Sequence, residues 1–227
     1  MIVKICGLTN LEDALVALEA GADLLGFVLY PKSPRAVSLT AVAEIGHALR
    51  RAPAFQQRRP ALVGVFVNAP PTEVAHALDE AGLDLAQLSG HEPPDDLRAL
   101  GGRAYKAVRS QAEADALPTV DAPPAHPHRP DLLLDAMHPM LYGGSGQRAD
   151  ESLALRLARR CRLLLAGGLT PDNVAEVIGV VQPWGVDVAS GVEAAPGKKD
   201  HRKLRSFVAS ARAALRAGGD FQSWQAA

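Results

Sequence analysis

Eight short apolar runs, each followed by a stretch with helical patterning, constrain this chain more than any other feature of its sequence. The runs lie at 2–6, 24–29, 61–67, 84–88, 104–108, 131–135, 163–166 and 185–189. They are apolar on both faces rather than alternating, as parallel strands covered on both sides must be. Helical patterns fill the gaps. One spans 10–20, with Thr9 as N-cap and Gly21 at its end. Another spans 71–81, opening on Pro-Thr-Glu and closing at Gly82. A third spans 171–181, with Thr170 as N-cap and Pro171 in the first helical position. Further helices are expected near 39–50, 93–100, 110–116, 150–160 and 200–216. Eight such units predict a single (β/α)8 TIM barrel over residues 1–216, with 217–227 as a frayed tail. The competing architecture, an open doubly wound sheet, usually has fewer strands.

Two segments interrupt the rhythm, at 51–60 and 118–130, but the alternation resumes after each. Neither is therefore read as a linker between domains. Both fall between a helix and the next strand, which in a barrel is the face away from chemistry. His126 and His128 in the second are read as part of a mobile surface loop rather than a metal site. Composition narrows the function classes. A formal net charge of −1 removes the electrostatic case for nucleic acid or an anionic membrane. No apolar run approaches the roughly 20 residues needed to span a bilayer. The first residues are already strand-like, so no signal peptide is expected. Two cysteines, Cys6 and Cys161, make no disulfide framework, which points to a reducing cytoplasm. Aromatics are only 4 % of the chain, which disfavours stacking platforms for bases.

Polar, Gly-rich clusters follow the strands rather than precede them. They include Cys6-Gly7-Leu8-Thr9, the Tyr30-to-Arg35 turn, Ser89-Gly90-His91-Glu92, Asp135 with the downstream Gly143-Gly144-Ser145-Gly146, Gly167-Gly168 and Ser190-Gly191. In a barrel all of these share the C-terminal rim, where active sites of this fold sit. Gly167, Gly168, Ser190 and Gly191 follow strands seven and eight, a recurrent place for a phosphate held by backbone N–H groups. Cys6 ends its strand and precedes Gly7, so its thiol reaches the rim, where a thiolate could take a proton or attack a carbonyl. Cys161 precedes the seventh strand and so lies at the opposite end. A five-residue strand is about 16 Å long, and a disulfide needs Cα atoms within about 7 Å, so the two should not pair. Asp135 closes an apolar strand, either as an N-cap or as a general acid whose pKa desolvation raises. Asp187 is a charge inside a strand, placed to bind substrate hydroxyls or to pair with Lys4 or Lys106 in the lumen. Arg35, behind two prolines, is a rigid guanidinium suited to a carboxylate or to a surface ion pair.

In order along the chain, the segments K-I-C-G-L-T (4–9), G-F-V-L-Y-P-K-S-P-R (26–35), V-G-V-F-V-N (63–68), L-L-D-A (133–136), G-G-S-G (143–146), A-G-G-L-T-P-D-N-V (166–174), D-V-A-S-G-V-E (187–193) and P-G-x-K-D (196–200) resemble the phosphoribosylanthranilate isomerase family over residues 1–210. The family's usual histidine after the fourth strand is Ser89 here, and His91 stands where an acid is common, so neither enters the catalytic set. The resemblance implies an aldose–ketose isomerase of tryptophan biosynthesis that performs an Amadori rearrangement. It implies Asp135 as general acid, Cys6 as general base and Arg35 on the anthranilate carboxylate. Asp187 would bind substrate, and Gly144, Gly167, Gly168, Ser190 and Gly191 would hold the phosphate. It implies no cofactor and no metal. The partner would be the small phosphosugar–anthranilate substrate, with no nucleic acid and no membrane, for a monomer or homodimer. Three rivals compete with this reading. A metal-dependent pentose-phosphate epimerase would need several His and Asp ligands at strand ends, and none of the eight expected strands contains a His. A histidine-pathway isomerase would carry an aspartate pair in place of Cys6, and a non-catalytic sugar-phosphate binder would lack the acid–base pair.

Overall fold

The computed structural model describes residues 1–117, 124–135 and 148–217. The expected phosphate ligand Gly144, part of the 118–130 segment and all but the first residue of the expected frayed tail lie outside the described residues. All eight expected strands form: β1 Ile2–Ile5, β2 Leu24–Val28, β3 Ala61–Phe66, β4 Leu85–Leu88, β5 Ala104–Val108, β6 Leu132–Asp135, β7 Leu163–Ala166 and β8 Gly185–Val188. They pair in parallel, in chain order, and β8 closes on β1. The expected barrel is the observed fold.

Side chains alternate across each strand, so every strand feeds two cores. Leu24, Val63, Leu85, Tyr105, Leu133 and Leu164 fill the lumen. Val3, Ile5, Leu25, Leu62 and Leu165 face outward onto helix residues such as Leu18, Leu49, Ile178 and Phe207. That double burial is why the strands read as continuous apolar runs. The helices are α1 Leu11–Ala20, α2 Leu39–Arg51, α3 Pro53–Arg58, α4 Pro71–Glu80, α5 Pro94–Leu100, α6 Gln111–Asp115, α7 Arg148–Ala158, α8 Val174–Val181 and α9 His201–Ala217.

Three local expectations need correction. The N-cap of α1 is Asn10, whose side chain accepts from Asp13 N at 2.8 Å. Thr9 instead donates its hydroxyl to Gly197 O at 2.6 Å. Helix α8 starts at Val174 rather than at Pro171, because Asn173 Oδ1 accepts from Thr170 N at 2.8 Å and folds the intervening residues into a turn. The basic 51–60 segment carries α3, which ends at Arg59 in the left-handed region. One element was not expected at all. After a 3₁₀ turn at Ser190–Val192, the chain forms a small antiparallel hairpin, β9 Glu193–Ala195 with β10 Lys198–Lys199.

The N-terminal rim is knitted by acids that immediately precede strands. Asp23 accepts from Val3 N at 2.7 Å and from Arg212 Nη2 at 2.6 Å. Asp84 accepts from Leu62 N, and Asp131 from Arg162 N, each at 2.7 Å. In the described part of the Pro-rich segment, Arg129 is buried and donates to Ala104 O at 2.9 Å.

Candidate active site

A cleft of about 260 Å³ opens at the C-terminal rim. Cys6, Asp135, Asp187, Gly167, Gly168, Ser190 and Gly191 all line it. Seven residues singled out from strand ends thus meet on one wall, contributed by β1, β6, β7 and β8 and the loops that follow them.

Cys6 is fixed by its own backbone, whose N–H donates to Val188 O across the β1–β8 seam at 2.8 Å. Gly7 follows with φ +72, and a Cβ there would lie 2.7 Å from Arg35 Cδ. Only glycine lets the Arg35 stem pass beside the end of β1. Burial pushes the Cys6 thiol up, and the Lys4 ammonium opposes that. Cys161 lies at the other end, half-buried, donating to Leu157 O at 3.2 Å. Burial pushes its thiol up to about 11.

Asp187 resolves into the lumen pair that was one of its two readings. Lys4 Nζ lies 3.0 Å from its Oδ2, on the neighbouring strand at the same register. Its Oδ1 is buried with no hydrogen-bond partner among the described residues. Asp187 lines the cleft, and this oxygen, though sealed from solvent, is an acceptor still without a partner. Burial alone would lower the Lys4 pKa. Asp187, Cys6 and Tyr105 outweigh it and hold Lys4 charged.

Arg35 is not on the cleft wall. Its Nε and Nη2 hold Glu193 in a fork at 2.8 and 2.7 Å. Glu193 Oε1 also accepts from Lys199 Nζ at 3.1 Å. Burial works to raise the Glu193 carboxyl, but Arg35 and Lys199 hold it below the ordinary range. Arg35, Glu193 and Lys199 therefore form one network behind Cys6, carried by the hairpin that sequence reasoning missed.

Loops seven and eight make a close-set backbone cradle. Gly167 and Gly168 have φ of +95 and +62, conformations that a side chain would strain. A Cβ on Gly191 would fall 1.9 Å from Leu169 O, so only glycine fits against the neighbouring loop. Asn173 pins loop seven from below, donating to Gly168 O at 3.0 Å while accepting from Thr170 N.

Three further residues in or beneath the cleft were not singled out: Arg109 and Gln87 line it, and Tyr105 is buried in the lumen. Arg109 follows β5 directly and lines the wall, so the rule that flagged the other strand-end polar residues also covered it. Tyr105 donates its hydroxyl to Gln87 Oε1 at 3.0 Å, and Gln87 Nε2 donates to Ser89 Oγ at 3.0 Å. That chain runs from the lumen to the rim and ends on Ser89. His91 is exposed and lines a separate apolar hollow with Leu97 and Leu117.

Fold and cleft together define a (β/α)8 barrel with candidate acid–base groups at the C-terminal mouth and a glycine-built cradle beside them. Comparison with known proteins is specific. The family model for N-(5′-phosphoribosyl)anthranilate isomerase matches residues 3–210. A relative of that name from Pelobacter propionicus is 45 % identical, covering 91 % of this chain and 93 % of its own. The crystal structure of the Thermotoga maritima phosphoribosylanthranilate isomerase superposes with a TM-score of 0.74 at 40 % identity, covering 94 % of this chain and all of its own. A related structure holds reduced 1-(o-carboxyphenylamino)-1-deoxyribulose 5-phosphate, with a TM-score of 0.73 at 38 % identity, covering 94 % of this chain and 100 % of its own. The chain belongs to the N-(5′-phosphoribosyl)anthranilate isomerase family.

Proposed function

We propose that this chain converts N-(5-phosphoribosyl)anthranilate into 1-(2-carboxyphenylamino)-1-deoxyribulose 5-phosphate, a step of tryptophan biosynthesis, by general acid–base catalysis. The observation that carries the mechanism is that Cys6 and Asp135 face one cleft from the ends of β1 and β6. Asp135 delivers a proton to the furanose oxygen as the bond from that oxygen to C1 breaks, leaving a protonated imine. The Cys6 thiolate removes the C2 proton, and the electron pair closes the enolamine. The enol then loses its hydroxyl proton as C1 gains one, giving the ketone. No net oxidation occurs, so this chemistry calls for neither a metal nor a redox cofactor. Positioned acids and bases of this kind contribute about 10²–10⁴-fold each.

The orphaned Oδ1 of Asp187 accepts a ribose hydroxyl. The N–H groups of Gly167, Gly168, Ser190 and Gly191 receive the phosphate, because glycine loops after β7 and β8 let the backbone approach a ligand with no Cβ in the way. Arg35 meets the anthranilate carboxylate with the nitrogen its fork on Glu193 leaves over, or by exchanging one partner for the other. Residues 1–216 act as one catalytic domain, in the cytoplasm, as a monomer or homodimer whose partner is the small substrate alone. Among the described residues no helix is long and apolar enough to cross a membrane. The test is loss of phosphoribosylanthranilate fluorescence on adding the purified protein. Turnover is expected. Substrate binding without turnover would make the chain a sugar-phosphate binder instead.

A further inference from the structure

A buried thiol that keeps its proton cannot act as a base, so the environment of Cys6 must supply what burial removes. Lys4 on β1 and Cys6, directly after that strand's end, are two residues apart and so face the same side, into the barrel. Both close on the bare Cα of Gly26. A Cβ built there would lie 3.0 Å from Cys6 Sγ and 3.2 Å from Lys4 Cε. The end of the lysine and the thiol thus share the space that Gly26 leaves empty. The Lys4 ammonium is fully buried and anchored at 3.0 Å on Asp187 Oδ2. A buried ion pair is a poor source of stability by itself. Its position against the thiol gives it another role.

We propose that Lys4 is the positioning residue of Cys6, the fixed counter-charge that stabilises the thiolate within the barrel mouth, with Asp187 holding the ammonium in place. This rests on Cys6 being the base of the reaction above. Other charges face the thiol. Arg35 comes from the loop after β2 and Lys199 from the hairpin, Tyr105 stands on β5, and Asp187 on β8 faces Asp135 on β6. Among the charges, Lys4 acts most strongly on Cys6, and Asp187 acts next with the opposite sign. A readout of the thiol itself supplies a test which a merely structural role would not pass. Neutralising Lys4 should make the thiol harder to ionise.

The measurement is the rate of Cys6 alkylation by iodoacetamide in the full-length protein, followed on the Cys6 peptide by mass spectrometry from about pH 6 to about pH 10. Reading the peptide separates Cys6 from Cys161. Lys4→Met is expected to raise the midpoint by about one pH unit or more, about tenfold slower alkylation on the acid side. An unmoved midpoint in Lys4→Met overturns the proposal. If Lys4→Met does not fold, the double variant K4M/D187N, which buries no lone charge, replaces it. Its midpoint should still rise, and an unchanged one overturns the proposal. Alkylation reads the thiol without turnover. If Cys6→Ala kept full activity while these shifts appeared, the base assignment would fall and the action of Lys4 on the thiol would stand.

Discussion

The two rims of the barrel use the same residue type in opposite ways. At the N-terminal rim Asp23, Asp84 and Asp131 each cap a backbone N–H of a neighbouring strand, and Asp23 and Asp131 also hold an arginine. At the C-terminal rim Asp187 keeps one oxygen unpartnered and glycines stand where side chains would close the surface. Satisfied polar groups stabilise, whereas an orphaned buried acceptor costs stability unless a ligand completes it. The difference is one of place: His128 Nδ1 and Arg129 Nε, in the segment before β6, are also buried without partners among the described residues, but of these three atoms only the Asp187 oxygen belongs to a residue that lines the cleft. Bound substrate should raise the melting temperature by completing the second rim.

The contrast can be broken from either side. The largest effects belong to the C-terminal rim. Cys6→Ala and Asp135→Asn should each lower kcat by at least about 10²-fold with the fold intact by circular dichroism. Next, Arg35→Ala should raise KM roughly tenfold or more through the lost carboxylate contact. An unaltered KM would return Arg35 to a purely structural role on Glu193. At the other rim, Asp23→Ala should cost about 1–3 kcal/mol in denaturant unfolding, by stranding Val3 N and Arg212, while kcat holds. A fall in kcat there would blur the distinction between the rims. A smaller effect concerns Glu92, which accepts from the amides of Asn68 and Gly90 and pairs with Lys106 at 2.7 Å. Burial works to raise this carboxyl, but Lys106 and the amides hold it below the usual range. A lowered folded-state pKa gives stability that is present above the unfolded value, near pH 4.3, and lost as pH falls through the folded one. Glu92→Gln should therefore flatten the acid limb of stability against pH. The smallest is Asn10→Ala, about 1 kcal/mol for the cap of α1, and a larger loss in Thr9→Ala would restore the cap to Thr9.

How much of this was legible in the sequence divides along physical lines. The strands were readable because burial on both faces leaves no polar alternation to confuse them. Rim residues were readable because polar side chains directly after apolar strands can only stand at the barrel mouth. Caps were not. Thr9 and Asn10 are both good N-caps, and Gly197, 188 residues away, took the hydroxyl of Thr9. Proline at a first helical position was equally misleading at 171, where Asn173 turned the chain first. The hairpin after β8 was hidden because its strands are too short and polar to carry a periodicity. With it went the link from Arg35 through Glu193 to Lys199. Asp187 could be read as substrate ligand or as lumen ion pair, and its two oxygens differ, since Oδ2 is paired and Oδ1 is not.

The most direct measurement is steady-state turnover of phosphoribosylanthranilate by the wild-type chain beside Cys6→Ala, Asp135→Asn and Asp23→Ala, each checked for folding. Acid–base chemistry confined to the C-terminal rim predicts turnover by the wild type and by Asp23→Ala, with the two rim variants slower by about 10²-fold or more. Undiminished turnover in Cys6→Ala or Asp135→Asn would contradict it.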